Sequence, residues 1–281
     1  MEQAVSKEEI RQLVLEARRE GKRVALVPTM GALHEGHLSL VRAAQARADV
    51  VAVSIFVNPT QFGPGEDFEA YPRDLQRDLA ALAAEGVDAV FTPSTEAMYA
   101  PDAQVTVDPG PLGEVWEGAS RPGHFRGVCT IVAKLFSLVA PDLAFFGEKD
   151  FQQLVIVKRM VADLDFPVKV VGCPIVREPD GLAMSSRNAY LTREERAAAT
   201  VLYRALREAE TLACGGETDV EYLERAMRDT IEAEPLAQLD YAALVDPKTL
   251  ARATSVAGAR AIVAARVGST RLIDNMAMPS A

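Results

Sequence analysis

Two histidines, three positions apart, stand in a decamer with features that suit phosphate binding. The decamer Pro28–His37 reads PTMGALHEGH. Its glycines allow the backbone to approach a ligand closely, and the N–H groups at the start of a helix favour an anion. In a first helical turn, His34 and His37 would lie on one face and could contact one phosphate together. The decamer therefore predicts a turn that handles phosphate.

The same histidines could have other roles. A single histidine near a helix start is often a cap or a satisfied polar group. A zinc-protease helix carries His-Glu-x-x-His, whereas here Gly36 lies between histidines at positions i and i+3. Two imidazoles alone also leave a zinc ion short of ligands. A zinc site is therefore disfavoured, and the capping role stays open for either histidine taken singly.

The decamer needs a strand before it and a helix after it. Residues 22–27 predict a short buried strand because residues 24–27 are apolar and include two valines, and residues 38–46 are rich in good helix formers. Four further strands are expected, separated by helical patterns, at residues 50–57, 89–91, 143–146 and 168–173. This alternation predicts a Rossmann-like doubly wound parallel sheet, in which ligands bind outside the carboxyl ends of the strands.

Other polar stretches follow expected strand ends and belong to the same predicted rim. They are Asn58 with Gln61, residues 147–150, and residues 184–187. Serine hydroxyls and an arginine fork suit a polyphosphate, and Lys149 could neutralise charge during phosphoryl transfer. Taken alone, Lys149 could equally be a solvated lysine, residues 184–187 a serine-rich turn, and Gln153 a helix-surface residue.

The pattern changes after residue 176. Two charged helices are expected at residues 192–212 and 218–233, followed by strands at residues 240–245, 259–265 and 270–274. We therefore expect two domains: a Rossmann-like domain of residues 1–176 and a smaller α+β, lid-like domain of residues 177–281.

Composition limits the possible functions. The formal net charge is −10 over 281 residues, which argues against non-specific nucleic-acid binding and against anionic membranes. The N-terminus has no apolar signal region and no run is long enough to span a bilayer, so a cytoplasmic protein is expected. Cys129, Cys173 and Cys214 lack metal-ligand spacing and are expected to be small buried hydrophobic residues.

Six motifs together resemble the pantoate–β-alanine ligase (pantothenate synthetase) family, within the nucleotidyltransferase superfamily that carries His-x-Gly-His. The resemblance covers nearly the whole chain, and the first motif alone identifies only the superfamily. The motifs are residues 28–37, 56–62, 71–73, 121–125, 147–153 and 182–188.

The resemblance implies an AMP-forming ligase of pantothenate biosynthesis, with pantoate, β-alanine and ATP as substrates and pantoyl adenylate as intermediate. It makes the domain of residues 1–176 the ATP- and pantoate-binding domain. It implies catalytic roles for His34, His37 and Lys149, with His37 as a proton donor. It assigns pantoate to Gln61 and Gln153, and β-alanine to Gln61. The residues implied in ATP binding are Met30, Gly31, Ala32, Leu33, His34, Glu35, Gly36, His37, Gly147, Glu148, Lys149, Asp150, Val176, Met184, Ser185, Ser186 and Arg187.

Mg²⁺ and a homodimer are further expectations. Asp78 is a candidate for a position near Mg²⁺, although its helix looks exposed and a solvated carboxylate is the alternative. Two other functions stay open. A cytidylyltransferase-like enzyme would share the histidines but lack the Gln61/Gln153 pair, and a non-catalytic nucleotide sensor would bind ATP without turnover.

Overall fold

The computed structural model describes residues 1–280, and within them the chain forms nine strands and ten helices. The strands are β1 (Glu2–Ala4), β2 (Val24–Thr29), β3 (Val50–Ile55), β4 (Ala89–Phe91), β5 (Leu143–Gly147), β6 (Lys169–Cys173), β7 (Ala237–Val245), β8 (Arg260–Val267) and β9 (Thr270–Ala277). The helices are α1 (Lys7–Arg19), α2 (Glu35–Gln45), α3 (Leu75–Ala84), α4 (Thr95–Met98), α5 (Glu117–Ser120), α6 (His124–Val139), α7 (Phe151–Asp163), α8 (Arg193–Ala198), α9 (Val201–Cys214) and α10 (Val220–Glu232). Short 3₁₀ turns include Pro59–Gln61, Glu148–Asp150 and Ser186–Tyr190.

The chain divides into two compact units. The first contains Met1–Glu148 and Ile156–Pro174, and the second contains Lys149–Val155 and the chain from Ile175 onward. The boundary expected between residues 176 and 177 stays a prediction.

The first unit contains a six-stranded parallel sheet in the order β1-β4-β3-β2-β5-β6. From β2 the chain proceeds to β3 and β4 on one side, and it then returns to place β5 and β6 on the other side of β2. The strand order therefore reverses between β2 and β5, which is where doubly wound sheets bind ligands. The predicted fold class is confirmed.

Helices cover both faces of this sheet. On one face, Ala25 and Val27 of β2 belong to a buried cluster with Leu40 and Val41 of α2. On the other face, Phe136 of α6 packs edge-on against Phe146 of β5, with ring centroids 6.5 Å apart. Burial on both faces explains why these strands are almost continuously apolar.

The second unit is a small α+β domain, as predicted. Its antiparallel sheet has the order β7-β8-β9. Helices α9 and α10 pack on this sheet through a cluster that includes Leu202, Leu206, Leu223 and Met227.

Two details differ from the expectation. The short strand β1 pairs with β4 and was not predicted. Only Ala4 of this strand is buried, so its sequence has no apolar pattern. The helix expected at residues 192–212 is divided into α8 and α9. At the division the Thr200 hydroxyl donates to the Ala197 carbonyl at 2.8 Å, a side-chain bond that competes with the helical backbone ladder. No helix within residues 1–280 is both long and apolar enough to cross a membrane.

Candidate active site

His34 and His37 begin helix α2 and cap it together. His34 is the N-cap residue, and its Nδ1 accepts the Gly36 N–H at 3.1 Å. His37 occupies the third helical position, and its Nδ1 accepts the His34 N–H at 3.4 Å. An imidazole nitrogen that accepts an N–H carries no proton, so each neutral ring holds its proton on Nε2. The two rings lie 4.1 Å apart, which confirms the expected shared face.

The turn between β2 and α2 has a backbone shape that requires glycine. Gly31 has φ +85°, and the next residue, Ala32, has φ +50°. A Cβ added to Gly31 would lie 2.9 Å from Asp78 Oδ2 and 3.1 Å from Ile55 Cγ2, so the space beside this backbone is filled. The Thr29 hydroxyl oxygen also accepts the Gly31 N–H at 3.2 Å. The backbone conformation of the turn is therefore fixed at residues 29–32, which precede His34 in the chain.

Asp78 of α3 fixes this turn through hydrogen bonds to its backbone. Its Oδ2 accepts the Ala32 N–H and its Oδ1 accepts the Leu33 N–H, both at 2.8 Å. The side chain is buried, with 2% exposure, so the expectation of a solvated carboxylate on an exposed helix is wrong. Burial raises the pKa of Asp78, and the two N–H groups oppose that rise by stabilising the charged form.

Three neighbouring strands bring the polar loops of the first unit to one edge. Strands β3, β2 and β5 are adjacent and parallel, so their carboxyl ends share an edge. The histidine turn follows β2, the turn Pro59–Gln61 follows β3, and Gly147 ends β5. The predicted rim is confirmed for these three segments.

The Gln61 amide has a defined orientation. Its Oε1 accepts from Asn58 Nδ2 at 3.1 Å, and its Nε2 donates to Met30 Sδ at 3.2 Å. Asn58 is in turn fixed, because its Oδ1 accepts from the Tyr99 hydroxyl at 2.8 Å. Gln61 and Asn58 are both buried. The contact with Met30 connects the amide to the histidine turn.

Comparison with known proteins identifies the family. The pantoate-β-alanine ligase family profile matches residues 3–277. The chain belongs to the pantoate-β-alanine ligase family. A pantothenate synthetase of Rubrobacter xylanophilus is 57% identical over 283 residues, which cover 98% of this chain and 97% of that protein.

Solved structures of this ligase family have the same fold. A pantothenate synthetase from Thermus thermophilus aligns with a TM-score of 0.94 at 51% identity, covering 98% of this chain and 99% of that one. A pantoate-β-alanine ligase from Francisella tularensis, complexed with β,γ-ATP and β-alanine, aligns with a TM-score of 0.83 at 35% identity, covering 99% and 97% of the two chains.

In this member of the ligase family, His124 and Arg121 support Gln61 from outside the turn. The sequence motif at residues 121–125 did not reveal this support. His124 Nδ1 donates to the Gln61 carbonyl at 2.8 Å, and its Nε2 faces Arg121 Nη1 at 3.2 Å. Arg121 also binds Glu66, with Nη2–Oε2 at 2.6 Å. Desolvation lowers the pKa of His124 to about 4, and the Arg121 charge adds to the effect, so the ring is neutral. Glycine at position 127 lets α6 approach the Pro59–Gln61 turn, because a Cβ there would overlap the Thr60 carbonyl.

Glu148 begins the 3₁₀ turn after β5 and belongs to the first unit, and the remaining predicted site residues lie in the second unit. Lys149 and Asp150 follow β5 in a 3₁₀ turn and pair at 3.6 Å, and Gln153 lies half-buried on α7. The loop from Val176 to Met184 closes through the Met184 N–H, which donates to the Val176 carbonyl at 3.0 Å. Ser185 caps the next turn, with its Oγ accepting the Arg187 N–H at 3.3 Å. Ser186 and Arg187 are the first residues of that turn, Ser186–Tyr190.

The cysteines are all free thiols, and one prediction about them is wrong. Cys129 and Cys173 are buried as expected, and burial raises the pKa of the Cys129 thiol to about 12. Cys214, the last residue of α9, is exposed. Gly215 and Gly216 follow Cys214 directly where the helix ends, and this helix end is the signal of exposure that was missed.

Proposed function

We propose that this chain is an ATP-dependent ligase that condenses pantoate with β-alanine to pantothenate. In the first step a pantoate carboxylate oxygen attacks the α-phosphorus of ATP, and the bond to the β-phosphate oxygen breaks, releasing pyrophosphate. In the second step the neutral β-alanine amine attacks the acyl carbon of pantoyl adenylate, loses a proton, and AMP leaves with the bridging oxygen.

The observation that carries this proposal is the paired imidazole arrangement at the strand reversal between β2 and β5. Two Nε2–H donors on rings 4.1 Å apart can contact the oxygens of one phosphate. The N–H groups of the first α2 turn and its dipole add positive potential at the same point. α-Phosphoryl transfer needs mainly positioning and charge stabilisation, and these groups supply both.

The other roles are those that the family resemblance implies. His37 donates a proton or hydrogen bond to the phosphate, and Lys149 neutralises developing charge. Gly147–Asp150, Val176 and Met184–Arg187 hold the remainder of the nucleotide. The oriented Gln61 amide binds pantoate together with Gln153, and Gln61 also lies near β-alanine.

Mg²⁺ enters this proposal as part of the nucleotide. Among residues 1–280 there is no group of three or more His, Cys, Asp or Glu side chains that could hold a metal ion. Asp78 does not fit a direct ligand, because it is 2% exposed and both its oxygens accept backbone N–H groups. Mg²⁺ is commonly bound through substrate phosphates, where it neutralises their charge. A position for Asp78 near the ion stays a prediction.

The test is ATP–pyrophosphate exchange with pantoate present and β-alanine absent. We expect exchange that depends on pantoate, and ¹⁸O from labelled pantoate carboxylate should appear in AMP after β-alanine is added. Turnover with β-alanine but without exchange or ¹⁸O transfer would contradict the adenylate. Activity with CTP and a phosphorylated acceptor, in place of ATP and pantoate, would favour the cytidylyltransferase-like enzyme.

A cytoplasmic homodimer completes the proposal. Light scattering coupled to gel filtration should give twice the chain mass of 30.3 kDa, and a monomer would refute the dimer. Cell fractionation should recover the protein with cytoplasmic markers.

A further inference from the structure

Two adjacent residues of β9, Asp274 and Asn275, contact two separate segments of the second unit. Each residue is 3% exposed. Asp274 contacts the loop that begins at Ile175, and Asn275 contacts the segment that begins at Lys149. These are the two segments of this unit that the proposed function assigns to ATP.

Asp274 binds Arg177 through both carboxylate oxygens. The distances are 2.6 Å from Nη1 to Oδ2 and 3.0 Å from Nη2 to Oδ1. The same guanidinium donates to the Gly181 carbonyl at 3.0 Å and lies over the Tyr203 ring at 4.3 Å. A bidentate pair fixes orientation as well as distance, so Asp274 determines where Arg177 lies.

Arg177 in turn belongs to the loop that leads to Ser185 and Arg187. It forms an antiparallel bridge with Ala183, and the flanking Met184 N–H donates to the Val176 carbonyl. A shift of Arg177 therefore moves Met184 with it. Ser185, whose hydroxyl caps the following turn, comes next in the chain.

Asn275 holds the other segment. Its Nδ2 donates to the Lys149 carbonyl at 2.9 Å, and its Oδ1 accepts from Arg260 Nε at 2.8 Å. Arg260 also lies over the Phe151 ring at 4.5 Å. The backbone of Lys149 and the start of α7 are therefore connected to the same two residues of β9 as the Arg177 loop.

We infer that Asp274 and Asn275 are positioning residues that hold the Lys149 segment and the Met184–Arg187 segment in one fixed frame for the ATP phosphates. The inference rests on the proposed function. A purely structural role is the weaker explanation, because a buried ion pair often contributes no more stability than apolar residues of the same volume. A fixed distance between phosphate-binding segments, in contrast, affects phosphoryl transfer directly.

The test compares Asp274→Asn and Asn275→Ala with a matched control, Glu224→Gln. Glu224 is also 3% exposed, its Oε2 pairs with Arg252 at 3.0 Å, and its Oε1 accepts the Leu244 N–H at 2.9 Å. The variant therefore loses an ion pair of a buried carboxylate in the same unit, outside the segments assigned to ATP. The measurements are thermal unfolding, the ATP dissociation constant by calorimetry, and kcat and KM for ATP in the exchange assay.

We expect Asp274→Asn and Asn275→Ala to raise the KM and Kd for ATP and to lower kcat, by roughly 10- to 100-fold in kcat/KM. Glu224→Gln should lower the melting temperature without these changes. If Asp274→Asn does not fold, Asn275→Ala decides alone, because it leaves the ion pair intact. Variants that match Glu224→Gln in all three quantities would overturn the inference. Absence of exchange in the wild-type protein would instead contradict the proposed function, and calorimetry with ATP would still test the positioning.

Discussion

His34 and His37 each use their Nδ1 to accept a backbone N–H of the same helical turn, and so both rings present Nε2–H. The capping role and the phosphate-binding role, which the sequence left as alternatives, use opposite nitrogens of the same ring. The cap sets the tautomer that the proposed chemistry needs.

Replacements of His37 can separate these two roles. Asn at position 37 can retain an acceptor near Nδ1, whereas Gln can place a donor near Nε2. We expect His37→Asn to lower kcat for exchange by about 10²- to 10³-fold, as loss of a preorganised donor does, with ATP affinity changed little. His37→Gln should retain more activity but lower the melting temperature, because the cap is lost.

Stopped-flow or exchange kinetics and thermal unfolding of both variants would check this. Near-normal turnover of His37→Asn would remove the donor from the mechanism. Equal effects of both variants on stability would contradict the division of roles between the nitrogens.

Asp78→Asn tests the support beneath the turn. An amide offers one acceptor oxygen, so either the Ala32 or the Leu33 N–H would face the NH₂ group and lose its partner. A buried unsatisfied donor costs about 1–3 kcal/mol, and we expect the unfolding free energy to fall by that amount. Urea denaturation measures it. If stability is unchanged and only the Mg²⁺ dependence of activity shifts, Asp78 acts on the metal rather than on the turn.

Gly31→Ala tests the close approach of the turn to Asp78 and Ile55. The matched control is Gly65→Ala, because Gly65 has a similar φ of +81° but no atom within 4 Å of its added Cβ. The control should lose only the cost of positive φ, about 1–2 kcal/mol. Gly31→Ala should lose more and should also lower exchange activity. Equal stability losses in denaturant titrations of the two variants would show that the neighbouring atoms yield without cost.

His124 makes stability depend on pH. Its pKa in the folded protein is lowered from 6.5 to about 4 by desolvation and by Arg121. Between pH 4 and pH 6.5, His124 binds a proton in the unfolded chain but not in the folded protein. Stability therefore falls as the pH decreases from 6.5 towards 4, by about 3 kcal/mol for this group.

The control for that prediction is His124→Asn, which can still donate to the Gln61 carbonyl but does not titrate. Unfolding titrations at several pH values should give a shallower slope for the variant between pH 4 and 6.5. Identical slopes would assign the acid sensitivity to other groups near the site, such as Glu66.

Local pattern was sufficient for much of the fold. The apolar strands β2, β3 and β5 were predicted close to their observed positions, because periodicity depends on residues near in sequence. The family resemblance added the roles implied for the histidines and Gln61. The contacts of Asp78, Tyr99 and His124 could not be predicted from local pattern. Each of these side chains forms a hydrogen bond with a residue more than 40 positions away in the sequence.

The sequence by itself determined the alternating α/β architecture, the histidine turn at a strand end and the membership of the ligase family. These depend on periodicity, glycine spacing and motif order, all of which can be read directly along the chain. Only the tertiary structure decided that Asp78 is buried beneath the turn, that Gln61 faces Met30, and that Asp274 binds Arg177. Such contacts depend on which segments the folded chain brings together, and one sequence carries no direct signal of long-range pairing.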